Sequence, residues 1–163
     1  MLRQLSALLV RDLQSMKDEL VAFPSEAMIW ECPQGITNPA GTLALHGCGN
    51  LQHYIGHVLG GTSYVRDREN EFANRSMTRA DLSMEIDRTI AVIKAVLPSL
   101  EDEVLASTFP QQVGGVSLNT QQFLLHLSSH LSLHLGQAGY LRRILTGSTE
   151  STGPGNVRVI AEG

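Results

Sequence analysis

Leucine or methionine recurs at positions 2, 5, 9, 13, 16 and 20, in steps of three and four. On a helix this spacing makes one apolar stripe, with Arg11, Gln14, Lys17 and Asp18 on the other side. The pattern predicts a helix from Leu2 to about Phe23. Pro24 ends it, because the residue before a proline is pushed out of the helical region. Glu31-Cys32-Pro33-Gln34-Gly35 through Asn38-Pro39 has the chemistry of a loop. A second helix is predicted after Asn38, with Pro39 suited to its first turn, running to the Gly60-Gly61 pair.

The segment from Tyr64 to Phe72 is dense in charge and is expected to be a solvated connector. Thr78 is a candidate N-cap for a third helix, with Asp81 three residues on. Leu82, Ile86, Ile90, Ile93 and Leu97 mark its inner face, and Pro98 its end. Residues 103–117 lose the helical rhythm. There Val104-Leu105 and Val113-Gly114-Gly115-Val116 predict a short hairpin or flap. Asn119 or Thr120 starts a fourth helix that ends at Thr146-Gly147. Four amphipathic helices of this length predict an all-α, four-helix bundle over residues 1–147, with an irregular or hairpin insert before the last helix. Residues 148–163, rich in Gly, Ser and Thr, are expected to form a flexible tail, within which 157–160 can dock locally.

With 163 residues, the chain fits one domain with a core of its own. A net charge of -4 and the lack of a basic block argue against a nucleic-acid binder, which works by neutralising phosphates. Aromatic residues at 5% leave few platforms for stacking bases. No run of eighteen apolar residues and no signal-peptide pattern are present, so a cytoplasmic protein without a membrane span is expected. Cys32 and Cys48 are too few for a disulfide framework or a zinc ribbon. Cys48 fits a small core thiol.

Histidine is the unusual component. All six lie on two predicted helices: His46, His53 and His57 on the second, His126, His130 and His134 on the fourth. Each i, i+4 step rotates a residue by about 40°, so each set follows one side of its helix. His130 and His134 project near the middle of an apolar arc that includes Phe123, Leu127, Leu131, Ala138 and Leu141, and His126 sits at its edge. Two neutral imidazoles one turn apart can reach a single divalent ion. A buried cluster of imidazoles without a partner would be costly to desolvate, which weighs against a purely structural role. On the second helix, spacing alone leaves His46, His53 and His57 as equal candidates for a further ligand. Asn50 and Gln137 share these sides and suit cavity-lining or ligand-orienting roles, since amides are poor zinc ligands.

The segments Leu45-His46-Gly47-Cys48-Gly49-Asn50-Leu51 and His130-Leu-Ser-Leu-His134-Leu-Gly136-Gln137 resemble the DinB/YfiT-like superfamily of bacterial metalloproteins. This family is distinct from the polymerase that shares its name. The segments 60–72 and 141–147 resemble one uncharacterised branch of it. The likeness covers roughly residues 1–147. It implies that His46, His130 and His134 bind one divalent ion, zinc or nickel; helical rotation places His53, His57, His126, Asn50 and Gln137 on the same sides, as groups that orient the ligands or line the cavity. Leu135 departs from the pattern, since many relatives carry arginine there. The resemblance further implies an enzyme that activates a low-molecular-weight thiol for transfer to a small electrophile, working as a homodimer. The rival expectations are a metal-dependent hydrolase that activates water and a non-catalytic dimeric metal-binding protein. The hydrolase needs a carboxylate base near the open coordination position.

Overall fold

In a computed structural model, described over residues 1–161, the chain is an all-helical bundle. The last two residues of the expected tail lie outside the described part. Four long elements form the bundle: α1 (Leu2–Val21), α3 (Ala40–Leu51, continued by a π-helical stretch Gln52–Leu59), α5 (Arg79–Val96) and α6 (Thr120–Thr146). The short helices are α2 (Glu26–Ile29), α4 (Arg68–Ala73) and α7 (Arg158–Ala161). Helices α1 and α3 each pack on both α5 and α6, so α1 and α3 face one another across a diagonal.

The apolar stripes are what close the bundle. Leu9, Leu13, Met16 and Leu20 on α1 meet Leu51 and Ile55, Ile86 and Ile93, and Phe123 and Leu131 in one core. Burying one such side chain contributes about 1.5–3 kcal/mol. The helix ends are set by local chemistry. Thr78 and Asp81 form a reciprocal capping box at the start of α5, and Asn119 with Gln122 does the same for α6. At the far end of α6, Gly147 turns the chain with φ 68°, a left-handed cap that glycine adopts at no steric cost. Pro39 stands just before α3 as its N-cap rather than inside the first turn.

The insert before α6 is irregular. Val113 and Val116 face each other in a single antiparallel bridge and make a small flap. Val104 and Leu105, expected as its other strand, lie in a 3-10 turn spanning Asp102–Leu105. Leu105 is buried there, and a helical turn lets it reach the core where a strand edge would leave it outside.

Leu135, where the family pattern carries arginine, is 7% exposed and belongs to this chain's own core, so it offers no apolar surface to a second copy. The apolar residues that α6 does expose are Leu125, Leu133, Tyr140 and Ile144. A buried ion pair ties α6 to α1: Arg142 Nε donates to Glu19 Oε2 at 2.6 Å, and both side chains are almost fully buried. The segment after α6 folds back onto this pair. Thr152 Oγ1 donates to Glu19 Oε1 (2.6 Å), and Arg142 Nη2 donates to the Glu150 carbonyl (2.8 Å). No helix among the described residues is long and apolar enough to cross a membrane.

Candidate metal centre

His46 on α3 and His130 and His134 on α6 converge. One ring nitrogen from each lies within 4.8 Å of the other two. The ring centroids of His46 are 5.2 Å from His130 and 5.3 Å from His134. His130 and His134 bring their Nε2 atoms to 3.1 Å. Two nitrogens bound to one zinc-like ion at about 2.0–2.1 Å each stand about 3.0–3.4 Å apart. The α6 pair already has that spacing.

Hydrogen bonds orient the rings. Glu71 Oε2 lies 2.9 Å from His46 Nδ1. An ionised carboxylate only accepts, so Nδ1 carries the proton and Nε2 keeps its lone pair. On that nitrogen, Asn50 Nδ2 donates at 3.0 Å. His134 Nδ1 donates to Gln137 Oε1 at 2.8 Å, which likewise turns its Nε2 lone pair towards His130. Lone pairs facing at 3.1 Å repel unless a proton or a cation sits between them.

Electrostatics keep the α6 pair neutral. Burial first, then His134 and His46 nearby, pushes His130 down to about 4. Burial also lowers His134, against the Gln137 hydrogen bond, which works the other way. Neutral imidazoles are the form that ligates metal. The donor set therefore fits a borderline divalent ion such as zinc or nickel.

Glu71 and Arg66 are the residues that sequence reasoning missed. Two charged residues of the connector turn inward while residues 67–70 stay exposed: Glu71 is 6% exposed and Arg66 is 11% exposed at the side chain. Arg66 donates from Nε to Glu71 Oε1 (2.6 Å) and from Nη2 to Oε2 (2.7 Å). Burial opposes the charge on Glu71, but the hydrogen bonds from Arg66 and His46 outweigh it and hold this carboxyl below its ordinary range. Gly49, one turn from His46, makes room for the arrangement, because a Cβ at that position would collide with the Glu71 carboxylate. A sequence signal did exist. Asp67 caps α4 by accepting from the Asn70 amide, and Glu69 and Glu71 fill its first turn, an ordinary helix start.

The other histidines separate. His126 is exposed and lines the same cavity, with its ring 5.8 Å from His130. His53 and His57 do not join the triad, contrary to the expectation that they surround the ion. His53 Nε2 donates to Gln111 Oε1 of the flap (3.0 Å), and His57 Nδ1 donates to the Thr62 carbonyl (2.7 Å). They lie in the π-helical stretch, whose wider turn breaks the rotation on which an α-helical extrapolation from His46 depends. Asn50 is 8% exposed and faces the cavity as expected. Gln137 is exposed yet touches His134 directly. Cys48 is buried, and burial pushes its thiol up to about 12, so it is an inert core group.

The cavity beside the triad holds about 170 Å³. Tyr54, Phe123, Leu127 and Val113 form its apolar wall, and Arg66 and Arg68 its charged one.

A family model described as a protein of unknown function (DUF1572) matches residues 2–152. The chain belongs to this family. The match takes in the triad, the Glu71 connector and the segment that closes over Glu19. Neither a curated protein nor a solved structure matches this family member.

Proposed function

We propose that this chain is a DinB/YfiT-like metalloprotein in which His46, His130 and His134 hold one zinc or nickel ion, and that it transfers a low-molecular-weight thiol to a small electrophile. The observation that carries the reading is the convergence of three imidazole nitrogens on one another, two of the rings, His46 and His130, lining a cavity, with His46 oriented from behind by a buried carboxylate. A carboxylate behind a ligating histidine fixes its tautomer and raises its basicity. Three protein ligands leave a coordination position open, which is the mark of a catalytic site.

Bound there, the ion would favour ionisation of a coordinated thiol near neutral pH. The chain's own groups do the rest. Glu71 and Gln137 hold the two outer rings in register. Asn50 lines the cavity, and its amide, which donates to His46 Nε2, would release that lone pair to the ion. Phe123, Leu127 and Tyr54 exclude water from one side of the reacting pair. In the transfer a sulfur–carbon bond forms as the bond from that carbon to its leaving group breaks. The leaving group takes the electron pair and the thiol proton passes to solvent.

The hydrolytic reading has less support. Among the described residues that line the cavity none is acidic, and both oxygens of nearby Glu71 are engaged by Arg66 and His46. Glu71 is therefore not free to act as a base towards water.

The test is metal content by elemental analysis, followed by consumption of a chloronitroarene with cysteine, glutathione or bacillithiol as cosubstrate. Near-stoichiometric metal in the wild type, its loss in His130→Ala and His134→Ala, and thiol-dependent turnover are expected. Full occupancy in His134→Ala, or loss in His53→Ala alone, would overturn the ligand assignment. Metal without turnover for any thiol would overturn the transfer.

A further inference from the structure

The wall of the cavity is unbalanced in charge. Two guanidinium groups, Arg66 and Arg68, line it, and no acidic side chain does among the described residues. The two arginines are differently placed. Arg66 is committed: two of its N–H groups donate to Glu71 at 2.6 and 2.7 Å. Arg68 makes no ion pair and no side-chain hydrogen bond among the described residues, although Asp67 and Glu69 flank it in sequence. Its guanidinium lies 5.0 Å over the ring of Phe72, and that ring packs 4.8 Å from His46. A cation–π contact thus parks a free planar cation at the cavity rim without using its hydrogen-bond donors.

A free guanidinium presents a fork of N–H groups that matches a carboxylate in a bidentate manner. Phe123 and Val113 of the flap give the same cavity an apolar lining. The occupant that complements both is a small organic acid with an apolar body. The amino end of α4 supplies no competing anion site, because the Asp67 side chain already caps it. The same fork also fits a phosphate, so a phosphonate probe separates the two.

We propose that Arg68 is a specificity-determining residue, and that the ligand drawn to the triad bears a carboxylate which Arg68 binds while its apolar part rests on Phe123 and Val113. This rests on the reading that the triad side of the cavity is where the chemistry happens, but the carboxylate subsite itself requires no metal.

Calorimetric titration of the protein as purified, at low salt, tests it with three probes: 3-phenylpropionate, 3-phenylpropanol and 2-phenylethylphosphonate. The wild type should bind the carboxylate about tenfold more tightly than the alcohol, the usual scale for one charge-assisted hydrogen-bonded contact. Arg68→Gln should erase that preference, while Arg3→Gln, an exposed arginine elsewhere, should keep it. In His134→Ala the preference should survive. That variant separates the two proposals, because a carboxylate held by the ion would lose its advantage there and one held by Arg68 would not. Arg68 is exposed, so circular dichroism of Arg68→Gln should match the wild type. Equal binding of acid and alcohol by the wild type, an intact preference in Arg68→Gln, a lost preference in His134→Ala, or tighter binding of the phosphonate would each overturn the assignment.

Discussion

The Glu71 carboxylate and the His46 imidazole meet at 2.9 Å across 25 positions of sequence. Between them run the end of α3, a π-helical stretch, the Gly60-Gly61 pair and the start of α4. The connector is thereby part of the site, since it supplies the group that decides which nitrogen of His46 keeps a lone pair.

Glu71→Gln should weaken metal binding by about 10–100-fold, the range seen when a group behind a ligating histidine is lost. The amide keeps the shape and removes the charge. A competition titration against a chromophoric chelator reads the change. Wild-type affinity in Glu71→Gln would mean that the carboxylate serves Arg66 alone.

Gly49→Ala should act on the same pair from the other side. Its Cβ would enter the space of the Glu71 carboxylate, so Glu71 must leave His46 or the connector must shift. Overpacking of this kind costs about 1–3 kcal/mol, and thermal unfolding should show a clear drop in Tm together with reduced metal affinity. An unchanged Tm would show that the connector yields freely.

Acid should destabilise the metal-free protein before it reaches ordinary carboxylate titration. His130 is pushed from 6.5 down to about 4 in the folded chain, first by burial. Between those values the unfolded chain binds more protons than the folded one, so stability falls as pH falls from about 6.5 to 4 and then levels for this group. His134 is shifted in the same direction. Glu71, held below its ordinary value, contributes stability that is lost below about pH 4.5. With its partial exposure discounted, the His130 part is on the order of 1–2 kcal/mol. Urea midpoints at pH 7, 5.5 and 4.5, with chelator present, should decline in the wild type and decline less in His130→Gln. Parallel declines would remove His130 as the cause.

Glu19→Gln or Arg142→Met alone should be severe. Each leaves a buried charge without its partner, which typically costs about 3–5 kcal/mol. Replacing both together, Glu19→Gln with Arg142→Met, should cost less than the sum of the two single changes. Denaturant titration gives all three values, and a single variant within about 1 kcal/mol of wild type would show that water reaches the pair.

Where one principle acted alone, the sequence was legible. Apolar stripes at helical spacing marked α1, α5 and α6, Pro39 and the Gly60-Gly61 pair bracketed α3, and Thr78, Asn119 and Gly147 marked ends that the backbone then adopts. The i, i+4 spacing of His130 and His134 placed both on the inner side of α6, where they now meet. His46 was singled out by family resemblance, because rotation about an ideal helix leaves His53 and His57 equivalent to it. What separates them is a backbone widening that no residue type announces: Gln52, whose amide donates to Glu85 and Thr89 of α5, sits where it starts. Glu71, Arg66 and Arg142 were hidden for a different reason. A charged residue in sequence predicts solvent, and only a tertiary partner of opposite charge makes its burial affordable.

The hydroxyl of Thr152 on the buried Glu19 also bears on where this protein may be cut. A boundary at the end of α6, where the helical rhythm stops, would remove the donor that one carboxylate oxygen relies on, along with the Glu150 carbonyl that receives Arg142. The smallest self-satisfying unit therefore extends at least five residues past Gly147, to Thr152, the residue at which the family match also ends. Fusion partners and tags belong beyond α7, which itself packs on α1. A truncation at residue 147 would be mistaken for an intrinsically unstable bundle when it had only lost its clasp.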